Sequence, residues 1–193
     1  ALSVGANMRR WQELKTIFYC DSRECGWPML AYLQLYEHTQ DRKWLRYAHE
    51  VFEFYRRHMT AKGEILYDIP HGMGTFKQGY GEFITWRACY LYYEVTGLKA
   101  VKDFLVRALR QVYRYPAKRV FTAGGWGAND LFPTWALYRL TGDEQVLRDN
   151  MPYFEALMAR PGGFPWGGDD MHYFLAEIQR LGWLDPICGV TPQ

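Results

Sequence analysis

The feature that most constrains this chain is a repeated junction between two helical patterns. Three segments share one design: an apolar helix with a Tyr near its end, then a Thr, then a very short turn into a second helix. They read LQLYEHTQD (33–41), LYYEVTGL (91–98) and ALYRLTGD (136–143). Setting Tyr36, Tyr93 and Tyr138 in register gives periods of 57 and 45 residues (93 − 36 and 138 − 93). A weaker fourth copy, FLAEIQRLGWLD (174–185), follows after about 41 residues with Gln179 in the Tyr position. One helical hairpin with its connecting loop needs roughly this length.

Each copy also ends as a helix should. Gly97 and Gly142 stand just past the last apolar position, where a left-handed residue costs least. Asp41 and Asp143 then stand where the next helix begins and its free backbone donors need an acceptor. A turn this short makes the two helices antiparallel.

The two helices of each pair differ in kind. The first is apolar nearly all round, in WPMLAYLQLY (27–36), ITWRACYLYY (84–93) and LFPTWALY (131–138), which predicts burial on more than one side. The second is amphipathic: in LKAVKDFLVRALRQVY (98–113), Leu98, Val101, Phe104, Leu105, Ala108, Leu109 and Val112 fall on one face. Segments 42–59 and 144–159 behave likewise, with Pro152 predicting a kink or restart in the latter. MRRWQELKTIFYC (8–20) reads as the outer helix of a preceding hairpin. ILYDIP (65–70) reads as a short strand within a loop, and no sheet is implied elsewhere.

An inner set of fully buried helices inside an outer set of one-faced helices is the plan of an α/α toroid. The expected fold is therefore all-α, a toroid or partial toroid of about three to four antiparallel helical hairpins, in one domain over residues 1–193. A closed ring holds more hairpins than that. The expectation is then a segment or C-terminal part of a longer chain, completed by the rest of that chain or by a second copy. The chain opens at Ala1 without a signal-peptide pattern.

Composition removes several classes. A formal net charge of +2 is too small to argue for nucleic acid or an anionic membrane surface. No apolar run approaches the roughly 18–20 residues that cross a bilayer. Cys20, Cys25, Cys89 and Cys188 lack the spacing of a zinc site, so no metal or other cofactor is expected. Cys89 reads as a small core residue, while a bridge between Cys20 and Cys25 stays open. Neither a phosphate-cradling loop nor a Gly-x-Ser-x-Gly elbow is present.

LYEHTQD, YYEVTG and LYRLTGDEQVL resemble the hairpin turns of the six-hairpin glycosidase-like superfamily, over most of residues 8–185. Glycoside hydrolases, unsaturated-uronyl hydrolases, polysaccharide lyases and sugar epimerases share that toroid. The resemblance is architectural. It implies a poly- or oligosaccharide as partner and a site at the mouth lined by the loops that lead into the inner helices.

Those loops are CDSRECGWP (20–28), IPHGMGTFKQGYGEF (69–83), TAGGWGAND (122–130) and RPGGFPWGGDD (160–170). All are rich in Gly and aromatics, whereas the turns at the other helix ends are short and plain; this asymmetry puts function on the long-loop face. Glycoside hydrolysis needs two carboxyl groups across the scissile bond, one protonated and one ionised. The candidates are Asp21, Glu24, Glu82, Asp130, Asp169 and Asp170, each with helix capping as its structural alternative. Asp169 and Asp170 stand out because they are adjacent, follow GFPWGG and precede His172, and both cannot serve as one cap. Glu82 is the third choice. For a lyase or epimerase, His71 or Tyr80 would abstract the proton α to a uronate carboxylate, with Asn129 helping to neutralise it.

Aromatic residues make up 18% of the chain; most read as core, a surplus is also what a groove for sugar rings would use, and Trp27, Trp126 and Trp166 recur in three mouth loops. Each offers a flat face to a sugar ring or plugs the top of its loop. Trp86 and Trp135 read as core, and His38, His49 and His58 as solvated. Arg23, Lys77 and Arg160 near the mouth would suit an acidic polysaccharide. The expected function is a carbohydrate-active enzyme, or its toroid portion, acting by hydrolysis or β-elimination. The alternative is a non-catalytic helical-repeat module that binds a glycan or a partner protein. A lanthionine-cyclase-like or prenyltransferase-like toroid comes third, because Cys20, Cys25, His71 and His172 match no zinc ligand set.

Overall fold

A computed structural model of the chain describes residues 2–13, 22–61, 66–69, 72–75, 80–113, 131–158 and 171–184. The elements are α1 (Leu2–Glu13), α2 (Ser22–Thr39), α3 (Arg42–His58), β1 (Leu66–Ile69), β2 (Gly72–Thr75), α4 (Tyr80–Thr96), α5 (Lys99–Tyr113), α6 (Leu131–Thr141), α7 (Gln145–Arg148), α8 (Met151–Met158) and α9 (Met171–Arg180). The class is all-α, with one antiparallel strand pair among the described residues: Leu66 faces Thr75 and Ile69 faces Gly72. The strand expected over 65–70 thus has a partner, formed by a Gly-rich segment read as loop. The chain divides into two compact units, Ala1–Pro116 and Ala117–Gln193.

The repeated junction has one hydrogen-bond pattern in all three copies. The backbone N–H groups of Gln40, Gly97 and Gly142 each donate to the Tyr36, Tyr93 and Tyr138 carbonyls at 2.7 Å. The hydroxyls of Thr39, Thr96 and Thr141 donate back to the carbonyls of Leu35, Tyr92 and Leu137 at 2.6, 2.7 and 2.7 Å. The same hydroxyls accept from the N–H groups of Asp41, Leu98 and Asp143 at 3.3–3.4 Å. Threonine is therefore the relay that ties the last turn of one helix to the first residue of the next. The left-handed residue follows it, with φ of 57° at Gln40, 64° at Gly97 and 73° at Gly142. Gln40 tolerates this conformation while its side-chain amide donates to the Glu37 carbonyl at 2.8 Å. As the spacing predicts, Asp41 caps α3 by accepting from Lys43 N–H at 3.0 Å, and Asp143 accepts from Gln145 N–H at 3.1 Å.

Two sequence expectations shift at these turns. Leu98 does not join the buried face of α5; it occupies the position that Asp41 and Asp143 hold elsewhere, and is 44% exposed. The fourth copy ends at Gly182, with φ of 70°. Ile178, four residues earlier, therefore stands in the Tyr position rather than Gln179, and Trp183 N–H closes the turn on the Ile178 carbonyl at 3.0 Å.

In the first unit, α2 packs against α3 and α4, and α4 against α5. The apolar helices are buried on several sides: Met29, Leu30, Tyr32 and Leu33 in α2, and Ile84, Trp86, Ala88, Cys89, Tyr90 and Tyr92 in α4. Their partners bury single stripes, Trp44, Ala48, Val51, Phe52 and Tyr55 in α3 and Val101, Phe104, Leu105, Ala108 and Leu109 in α5. Burying each Phe, Leu or Val of this kind contributes about 1.5–3 kcal/mol. α3 runs antiparallel to α4, since His49 Nδ1 meets Tyr92 Oη at 2.8 Å while Tyr55 Oη meets Thr85 Oγ1 at 3.3 Å. The short turn makes α3 antiparallel to α2 as well, so α2 and α4 are parallel neighbours. Their N-terminal halves approach closely at Gly26, where a Cβ would stand 2.7 Å from Ile84 Cγ2 and 3.1 Å from backbone atoms of Ile84 and Thr85.

α1 begins at Leu2, six residues before the helix expected over 8–20, and it packs on α2. It approaches the Trp44 ring of α3 closely at Gly5 and also makes polar contacts to α3. Arg9 pairs with Glu50 and stacks over the Tyr47 ring at 4.2 Å, and Gln12 Nε2 donates to the Tyr47 carbonyl at 3.2 Å.

In the second unit, α6 is buried along Leu131–Leu137 without a break. It runs parallel to α9: Phe132 meets Tyr173 (5.4 Å between ring centroids), Trp135 Nε1 donates to Glu177 Oε2 at 3.3 Å, and Arg180 Nη2 donates to Tyr138 Oη at 3.0 Å. The helix that pairs with α6 restarts as Pro152 predicts. α7 ends at Arg148, and Asn150 bridges to α8, its side chain donating to the Val146 carbonyl at 2.9 Å and its carbonyl accepting from Phe154 N–H at 3.0 Å.

Candidate functional site

Parallel inner helices place their N-terminal ends at one end of each unit, which is where the sequence puts the mouth. In the first unit, the contact of Gly26 with Ile84 and Thr85 sets the level of α2 against α4. At a rise of about 1.5 Å per residue, Glu82 and Tyr80 lie about 3 and 6 Å farther toward the N-terminal end than Ile84. Tyr80 is the first residue of α4, and Glu82 is in its first turn. Trp27 follows Gly26 and is 47% exposed. It stands on the helix and not in a loop, because α2 begins at Ser22 and includes Pro28. The segment 22–28, expected as loop, is therefore mostly the first two turns of an inner helix.

In the second unit, His172 is the second residue of α9 and is exposed. Its ring lies 4.0 Å from that of Tyr173, which lies 4.6 Å from Trp135. Trp135 in turn donates to Glu177, so the exposed imidazole ends a run of contacts anchored in the helix pair. Asp169, Asp170, His71, Trp126, Trp166, Asn129 and Asp130 lie outside the described residues, as do Asp21, Lys77 and Arg160. Of the sequence-chosen acids and bases, Glu82 and Tyr80 belong to the first turn of α4, and His172 belongs to the other unit.

Several polar groups that the sequence reading passed over have defined roles. Glu177 is a nearly buried carboxylate that accepts from Trp135 and from Arg180 Nε at 2.7 Å, with Arg139 at 3.7 Å. The signal was available: an acid at position 177 falls on the same helical face as Phe174 and Ile178, both buried. His49 and His58 are not simply solvated. His49 meets Tyr92, whose hydroxyl is pushed up to about 12 chiefly by burial, with the Glu53 charge adding to it. His58 Nδ1 lies 2.7 Å from the Phe54 carbonyl. Trp86, Trp135 and Cys89 are core, as expected, and burial pushes the Cys89 thiol well above its ordinary value. A buried thiol of that kind is no nucleophile at neutral pH.

Among the described residues no group of three or more His, Cys, Asp or Glu side chains could hold a metal ion. No helix among them is long and apolar enough to cross a membrane. Set against family models, curated proteins and solved structures, the chain matches none of them.

Proposed function

We propose that the chain is part of an α/α toroid that acts on a poly- or oligosaccharide, with its site at the N-terminal ends of the inner helices. The observation that supports this reading is that Trp27, near the N-terminal end of α2, is 47% exposed, while Tyr80 and Glu82 belong to the first turn of the parallel helix α4. A flat apolar face suits a pyranose ring, and a carboxyl group and a phenol are residue types that suit the chemistry at its glycosidic oxygen. Helix N-termini add partial positive charge, which favours the ionised carboxylate and any uronate group on the substrate. Asp169 and Asp170 are proposed as carboxyl groups for the reaction on the strength of the sequence, and His71 or Tyr80 as the base if the reaction is β-elimination. Trp126, Trp166, Asn129, Asp130 and His172 are the proposed sugar contacts.

The first test is binding. The chain and its Trp27→Ala variant are titrated calorimetrically with neutral and uronate-containing oligosaccharides. Loss of one stacked aromatic face, about 0.5–1.5 kcal/mol beyond its buried area, is expected to weaken binding by about tenfold. Equal affinity of the two proteins would remove Trp27 from the site.

A further inference from the structure

We infer that Glu177 is a positioning residue: through Trp135 and Tyr173 it sets the ring stack that ends at the exposed imidazole of His172. The inference rests on the proposed role of His172 as a sugar contact. Every link is a direct contact between α6 and α9 or within one of them. Trp135 Nε1 donates to Glu177 Oε2 at 3.3 Å, and the Trp135 ring lies 4.6 Å from that of Tyr173. Tyr173 and Glu177 stand one turn apart on α9, so the indole from α6 spans that turn, its N–H on the carboxylate and its ring against the phenol. Phe132 closes the group, 5.5 Å from Trp135 and 5.4 Å from Tyr173. His172 lies outermost, 4.0 Å from Tyr173.

Helix pairing alone does not call for a carboxylate at this position. Glu177 is 6% exposed and shares its face with the buried Phe174 and Ile178. An apolar side chain of similar volume in such a place is often as stable as a buried ion pair, or more so. Arg180, at 2.6 and 2.7 Å, and Arg139, at 3.7 Å, offset the charge, and both guanidiniums reach solvent. What an apolar side chain cannot do is accept the indole N–H. An acceptor on α9 decides which edge of the indole turns toward that helix, because a ring rotated about its Cβ–Cγ bond would give that bond up. Trp135 is thereby held in one orientation, Tyr173 rests on it, and His172 rests on Tyr173.

Proton NMR of the His172 ring tests this on the intact chain with no glycan present. Shielding by the Tyr173 ring should place the wild-type His172 signals upfield of those of a free imidazole. Glu177→Leu removes the acceptor and leaves no buried charge behind, and its His172 signals should move back toward the free position. Glu177→Gln keeps a side-chain oxygen for the indole and should hold them at the wild-type position. Arg180→Gln breaks an ion pair but not the indole bond, so it should lower Tm with the His172 signals unmoved. If Glu177→Leu does not fold, Trp135→Phe, which removes the donor and keeps both ion pairs, should move the same signals. In titrations with neutral and uronate-containing oligosaccharides, Glu177→Leu should bind about fivefold more weakly than wild type, and Glu177→Gln equally well. His172 signals unmoved by loss of the indole bond, or moved as far in Arg180→Gln, would overturn the inference, as would equal affinity of wild type and Glu177→Leu. Wild-type protein that binds no glycan would instead overturn the sugar-contact reading, and the His172 signals, read without glycan, keep the two failures apart.

Discussion

At the scale of single residues, the repeat works through a few side chains at its turns. The sequence shows the Tyr, the Thr and the Gly in register, but it does not show why the Thr recurs. Only the hydrogen-bond geometry reveals its hydroxyl giving to one helix and taking from the next. The same comparison exposes a weak copy. Leu98 stands where Asp41 and Asp143 accept from the following helix, and a leucine has nothing to offer a free N–H. Leu98→Asp is therefore expected to stabilise the protein by about 1 kcal/mol, read as a higher urea midpoint with an unchanged slope. A second prediction concerns Glu53, held below the ordinary carboxylate range first by its hydrogen bonds from Arg56 at 2.7 and 2.8 Å and then by neighbouring positive charge. A carboxylate depressed in the folded state adds stability that is present above its unfolded value of 4.5 and is lost as pH falls through the lower folded value. The Tm difference between wild type and Glu53→Gln should thus be constant near neutrality and shrink in acid. A difference that grows in acid would have the opposite sign and contradict the ion pair.

At the scale of elements, what was legible and what was not divides along physical lines. Helix type could be read because burial on all sides and burial on one side leave different patterns, and α6 and α5 carry them without ambiguity. Element starts were less legible. Gly26 reads as a loop residue and Pro28 as the helix start, yet both lie inside α2, which begins at Ser22; at Gly26 the absence of a side chain allows α4 to approach. That tertiary contact outweighs the poor helix propensity of both residues. Gly26→Ala tests it. Alanine's better propensity returns about 1 kcal/mol, while overpacking costs about 1–3 kcal/mol. Two of the three close atoms are backbone and cannot swing aside, so the variant should melt lower than wild type. Gly5 is a second close approach: its three nearest atoms, on Leu35 and the buried Trp44, would all lie within 3.0 Å of a Cβ, so Gly5→Ala should also melt lower than wild type. A Gly26→Ala protein as stable as wild type would mean that α2 and α4 are not in close contact at this point.

At the scale of the whole molecule, the repeat predicts a plan that both units share: parallel inner helices whose N-terminal ends carry the residues with chemistry to offer. Tyr80, Glu82 and Trp27 stand there in one unit and His172 in the other. The remaining sequence-chosen residues lie outside the described residues, and their Gly-rich sequence gives no periodicity from which to infer their placement. The central claim is that this end of the inner helices cleaves a glycan, and turnover tests it most directly. The chain, with Glu82→Gln and Asp169→Asn in parallel, is assayed on neutral and uronate-containing polysaccharides, following new reducing ends and the ultraviolet absorbance of unsaturated uronates together. The account predicts turnover on at least one substrate, reduced by about a hundredfold or more in one of the two variants, the usual scale for a lost acid or base. Folded protein that turns over none of the substrates, or equal turnover in all three proteins, would contradict it.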